Sequence, residues 1–362
     1  MPSVLLAAVF VSCAHSLPAL HPGDAAALAR SYSEAVRAVN EAHAAKPDAK
    51  DEGELARKLP ASAQKALAEL VKAKDAPELA DALVMAGEAA LDLDRIADFE
   101  RVRARLADVA PERAKELGIA LSRPRFLARG IDGVEQEGLE ALADAFDAVL
   151  DGYRDVFGIT SFSKVPGKKL RLRAHLVDAI TRPPHFAPQF PWHSEIDFPV
   201  IEAKAFTSPT PKGQFQLYGL CHELGHVIAM WGDTRNEEDH HAWAHYTGVV
   251  LVEELARTKH AGLEGLRDVR WRSLEKEREA LAEPPEEKDK ERHRVMKLLV
   301  EVHDLVGPKS IGAALNALDA DGKHLRVNRV RYYSFANFEK ALLATAEGKK
   351  KAKELRAAFE RR

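Results

Sequence analysis

Cysteine is almost absent. The 362 residues contain two, Cys13 and Cys221, too few for a disulfide framework or a cysteine-based zinc knuckle. A long apolar run is missing too: the only candidate, Val4 to Val11 near the start, is too short to span a bilayer, so no transmembrane helix is expected. Net charge is nearly absent as well. At -3 it offers no field to attract a phosphate backbone or an anionic membrane, and nucleic acid is excluded as a partner on that ground. Aromatic residues are few at 7%.

What remains is an abundance of Ala, Leu, Glu, Lys and Arg, with 46% apolar and 30% charged residues. Those proportions suit a large helical globular chain that folds without cross-links. The opening "MPSVLLAAVFVSCAHSLPALHPG" joins its apolar run to small residues and prolines, in the manner of an export signal. Its "FVSC" resembles a bacterial lipobox, with Phe10 where Leu is usual, which would make Cys13 a lipid anchor. Residues 1–22 are therefore expected to direct export, leaving a periplasmic, membrane-anchored lipoprotein or a secreted protein.

From Asp24 to Phe157 apolar residues recur three and four apart, and Pro60, Pro77 and Pro111 stand near expected helix starts. Residues 23–157 accordingly read as a helical domain, closed by "GLEALADAFDAVLDGYRDVFG" ending at Gly158. The texture then changes. Leu170, Leu172, Ala174 and Leu176 alternate with Arg171, Arg173 and His175, the period of a half-buried strand. After a proline-dense loop, "SEIDFPVI" alternates again and carries Pro199, which suits a sheet edge. Residues 158–362 form a second expected domain, and the whole reads as α+β, predominantly α-helical. Its basic end, "KKKAKELRAAFERR", reads as a solvated helical face.

Within the second domain, Pro211 fits the first turn of a helix running to about Trp231. That helix holds His222, Glu223, Leu224, Gly225 and His226, the pattern HExxH. Residues four apart lie one above the other, so both imidazoles can share one zinc ion, with Glu223 beside them to take a proton from a metal-bound water. Cys221 projects about 100° away from His222 and reads as a core residue.

Two histidines hold zinc poorly, so a third ligand is expected. His226 lies about five residues, roughly 7.5 Å, before the expected helix end. "TRNE" then offers a capping box for a second helix, beginning near Thr234. If that helix runs back antiparallel, the matching level is Glu238, Asp239, His240 and His241. His241 shares a stripe with Ala244, His245, Gly248, Val249 and Val252 and ranks first; Glu238 follows, then Asp239 and His240. His245, one turn on, is expected to orient a ligating imidazole or a bound water.

At these residues the chain resembles the zincin metallopeptidases, in which a sheet with a substrate-lining edge strand precedes an HExxH helix and a second helix supplies the third ligand. A His at the start of that second helix is similar to the SprT-like arrangement. "HAWAHY" also resembles the "EGWAxY" segment of some glutamate-zincins, with His241 where Glu would stand. The resemblance covers about ninety residues, from Leu170 to His260. It implies Zn²⁺ as cofactor, His222 and His226 as ligands, Glu223 as general base, and a protein or peptide substrate paired along "SEIDFPVI"; His245, from its place on the second helix, is counted with Glu223 among the catalytic residues. An oxyanion donor is also required, for which His245, Tyr246, Tyr332 and Tyr333 are candidates. Association with DNA, as in SprT-like proteases, is opposed by the charge balance and the export-like start. The alternative is a non-catalytic helical interaction protein with a structural or vestigial metal site.

Overall fold

The computed structural model describes residues 24–45, 59–131, 133–160, 162, 169–175, 185–186, 195–199, 211–228, 237–258, 273–321, 325–327 and 330–361. The export-like segment and its Cys13 lie outside the described residues. The fold is α+β and predominantly helical, as composition and periodicity indicate. No helix among the described residues is long and apolar enough to cross a membrane. The chain divides into two compact units, Met1–Leu117 and Gly118–Arg362.

The first unit is helical: α1 (Ala25–Ala45), α2 (Ala61–Val71), α3 (Leu79–Asp92), α4 (Ile96–Val109) and α5 (Pro111–Leu117). The prolines act as expected, since α2 begins directly after Pro60 and α5 at Pro111, where a missing N–H costs nothing. Leu28, Tyr32, Leu67, Leu83, Ala86, Phe99 and Val102 build its core. One carboxylate is drawn into that core. Asp98 is 3% exposed, accepts from the Tyr32 hydroxyl at 3.2 Å, and is held by the Arg95 and Arg101 guanidinium groups.

The second unit begins with a departure from the sequence reading. Residues expected to be helical form β1 (Ile119–Ser122) and β2 (Phe126–Ile131), so the structural division falls at Leu117 and not at Gly158. The period-two signal is missing from β2 because both of its faces are covered: Phe126, Leu127 and Ala128 are buried consecutively. Gly118 makes the entry possible. Its φ is +80°, and a Cβ there would lie 2.0 Å from the Gly130 carbonyl oxygen.

The sheet runs β1-β2-β3-β5-β4, with β3 at Leu170–His175, β4 at His185–Phe186 and β5 at Glu195–Pro199. β3 pairs in parallel with both β2 and β5, while β1 and β4 are antiparallel to their neighbours. Leu170, Leu172 and Ala174 face the core as the alternation indicates, but Arg171 on the opposite face is also buried, at 7% exposure. "SEIDFPVI" is not the edge. β4 covers it, pairing His185 with Asp197 and Phe186 with Ile196, so the outermost described strand on that side is β4.

Helix α6 (Gln136–Phe157) packs on the sheet, with Phe126 and Phe146 meeting edge to face at 4.8 Å, and ends at Gly158 in the left-handed conformation, as expected. It supports α7 (Pro211–Ile228) and α8 (Glu237–Thr258). The remaining elements are α9 (Leu274–Ala282), α10 (Lys290–Asp321, broken at Gly307 and Pro308), the hairpin β6 (Leu325–Val327) and β7 (Val330–Tyr332), α11 (Phe335–Ala344), α12 (Ala346–Lys350) and α13 (Ala352–Glu360). The basic C-terminal segment buries Leu355 and Ala358 and turns its charges outward, the solvated helical face expected of it.

Asp98 yields a pH-dependent prediction. Burial by itself would raise its carboxyl, but hydrogen bonds and charge from Arg95 and Arg101 outweigh that and hold it below the usual range. A depressed folded pKa stabilises above the unfolded value of about 3.9, and that stabilisation disappears as pH falls through the folded pKa. Asp98→Asn is expected to cost the helical unit about 2 kcal/mol at pH 7. Hydrogen exchange of α1 and α4 should register the difference, and the gap between variant and parent should close below about pH 4.

Candidate metal centre

Helix α7 buries Leu217, Leu220, Cys221, Leu224, Val227 and Ile228 and carries His222 and His226 along an adjoining stripe. Helix α8 buries Ala242, Trp243, Tyr246, Val249 and Val250 and turns His241, His245 and Gly248 to the same neighbour. The two helices run antiparallel and very close. A Cβ on Gly225 would meet Thr247 Oγ1 at 2.3 Å and Ala244 Cα at 2.9 Å. One on Gly248 would stand 3.3 Å from the Tyr218 ring and 3.4 Å from the backbone of His222. As residue numbers rise on α7 they fall on α8, which brings the start of α8 opposite His226.

His222, His226 and His241 meet there. One ring nitrogen from each lies within 4.8 Å of the others, and the ring centroids are 4.9 Å (222 to 226), 4.9 Å (226 to 241) and 5.9 Å (222 to 241) apart. Around a tetrahedral zinc with bonds near 2.1 Å, nitrogens sit roughly 3.4 Å apart, so small side-chain adjustments close three imidazoles on one ion. The donor set fits zinc. The side chains of Glu238, Asp239 and His240, weighed as alternatives, lie outside the described residues.

Exposure grades across the cluster. His226 is 7% exposed, His222 is intermediate and His241 is open to solvent. A closed structural site would bury all its ligands, whereas here His241 is exposed. Glu223 follows His222 directly in the sequence and is buried, at 5% exposure.

One turn deeper lies a second polar group. His245 Nδ1 bonds the Tyr218 hydroxyl, and its Nε2 lies 3.0 Å from Glu277 of α9. An ionised Glu277 only accepts, so Nε2 carries a proton; a neutral ring then accepts the Tyr218 proton at Nδ1, and all three groups are satisfied. His245 was expected to orient a ligating imidazole or a water. Both of its nitrogens are engaged elsewhere, so any effect on His222 passes through Tyr218, whose ring lies 5.8 Å from the His222 ring. Sequence reasoning missed Tyr218 although it stands four residues before His222, on the neighbouring stripe. Glu277 gave no signal, since Glu275 and Glu279 flank it on a uniformly charged helix.

The other expected participants are placed away from the cluster or outside the description. Tyr246 is fully buried, and its hydroxyl lies 2.8 Å from His303 Nδ1; Tyr333 is also fully buried. Neither serves as an oxyanion donor from the core. The Tyr332 side chain lies outside the described residues. Trp243 packs on Tyr246 and Phe338, inside the core. Cys221 is the core residue expected: burial pushes its thiol up, and its carbonyl accepts from the Tyr153 hydroxyl at 2.8 Å.

The helix approach makes a graded prediction. Gly225→Ala forces α7 and α8 apart and is expected to weaken zinc binding more than tenfold, with a stability loss of about 1–3 kcal/mol. Gly248→Ala, whose Cβ would meet only contacts of 3.3 Å and longer, should have the smaller effect on both. Chelator competition and thermal unfolding of the two variants check the order, and equal affinities would refute it. No protein-family model, curated protein or solved structure matches this chain, so the centre is read from its own geometry.

Proposed function

We propose that the chain is a zinc-dependent peptidase, hydrolysing protein or peptide substrates outside the cytoplasm and carried there by the segment around Cys13. The observation that carries the reading is the convergence of His222, His226 and His241 from two helices, the first of which also holds the buried Glu223 of the HExxH pattern. A bound zinc supplies Lewis acidity, lowering the pKa of a water and polarising a carbonyl. His222, His226 and His241 would hold the ion. Glu223 accepts the proton of the attacking water and delivers it to the nitrogen of the leaving amine.

The sheet supports an extended substrate. β4 and β5 lie against α7, and β4 is the outermost described strand on that side. A peptide pairing there would run along the strand nearest the HExxH helix, using backbone hydrogen bonds that ignore side-chain identity. The proposal thus moves the substrate-pairing strand from "SEIDFPVI" to His185–Phe186.

Glu223→Gln tests the reading. The variant should keep close to one zinc per chain, since Glu223 is not a ligand, while cleavage of casein falls by about a hundredfold to ten-thousandfold. Zinc bound by the parent chain without cleavage of any peptide would favour the non-catalytic interaction protein.

A further inference from the structure

The deeper polar group has no part in the proton transfer assigned to Glu223. Glu277 and His245 side chains are 12% and 6% exposed, and Tyr218 is 7% exposed. Burying a hydrogen-bonded carboxylate, imidazole and hydroxyl between helices adds little stability compared with hydrocarbon of the same volume. The three groups are nonetheless joined end to end, from a carboxylate on α9 through an imidazole on α8 to a phenol on α7.

The last link reaches the metal cluster. The Tyr218 ring lies 5.8 Å from the His222 ring, tilted by 43°, and 6.0 Å from the His245 ring. On its α8 side the ring is backed by Gly248, where even a methyl group would approach it to 3.3 Å. Its hydroxyl is fixed by His245, which Glu277 fixes in turn. A ring held at its tip and along one face has little freedom, and it borders the first histidine of the HExxH pattern one helical turn away.

We propose that Glu277, His245 and Tyr218 form a positioning chain that sets the His222 imidazole and thereby the metal affinity of the three-histidine centre. The inference rests on the reading that His222, His226 and His241 hold a metal ion. Groups that fix a ligating imidazole are worth about ten- to a hundredfold in metal affinity, although here the fixing acts through an intervening ring.

The test uses the full chain freed of metal and titrated with Co(II), followed by visible d–d absorption. Tyr218→Phe, His245→Gln and Glu277→Gln should each weaken Co(II) binding about tenfold and alter the band shape. Tyr218→Phe/Glu277→Gln should bind about as weakly as either single variant, because a chain broken at one link is already broken. A merely structural role would lower the unfolding temperature of the metal-free chain without changing the cobalt spectrum. Glu277→Gln keeps shape and volume, which guards against a variant that fails to fold. Single variants with parental affinity and spectrum would overturn the chain while the metal centre stands. A parent chain that takes up no cobalt would overturn both. Weakened, spectrally altered binding supports the chain even where no peptide is cleaved, since the readout is not turnover.

Discussion

Everything at the candidate site depends on how closely two helices approach. Gly225 and Gly248 remove side chains where α7 and α8 touch, and Thr247 and Ala244 occupy the space that a Cβ on Gly225 would need. Without that approach, His241 could not come within 4.8 Å of His222 and His226 at a ligand nitrogen. The cost of holding three imidazoles together is met by the apolar faces of the same helices. Leu220, Leu224, Val227, Trp243, Val249 and Val250 are all buried and fix the helices in register. Packing on one face places chemistry on the other.

Legibility followed the range over which each signal acts. His222 and His226 could be read because a four-residue spacing is itself helix geometry, complete within one turn. His241 followed from adding one assumption, an antiparallel return, to a known rise per residue, and the structure brings it to the same cluster. Tyr218 stands four residues before His222 and obeys the same rule, but a tyrosine on an amphipathic helix is as well explained by core packing, so the spacing alone does not single it out. Glu277 was not readable. Its role is conferred wholly by where α9 packs, and along its own helix it is one acid among several.

The sheet failed in a different way. Period-two reading finds strands with one wet face, as along β3, and passes over β2, whose two covered faces leave only a short apolar run beside a helical stretch. The edge was misassigned for the opposite reason. β4 is two described residues long, too short to show any period, yet it caps "SEIDFPVI" and changes which backbone faces outward. Pro199 suits an edge strand, but here it pairs with His175 on the inner side, at the last position of the ladder, where a missing N–H is tolerated.

Polarity within the second unit is layered along the α7 and α8 contact, and the layers differ in what they can do. At the open end His241 is exposed while His226 and Glu223 are nearly covered. One turn deeper, His245 is satisfied on both nitrogens and closed to water. Further along α8, Val249 and Val252 are fully buried. A histidine in the first layer brings a nitrogen within 4.8 Å of two others; in the second, both nitrogens are engaged by Tyr218 and Glu277. Depth along α8 therefore separates the histidine that joins the three-ring cluster from the one held within the core.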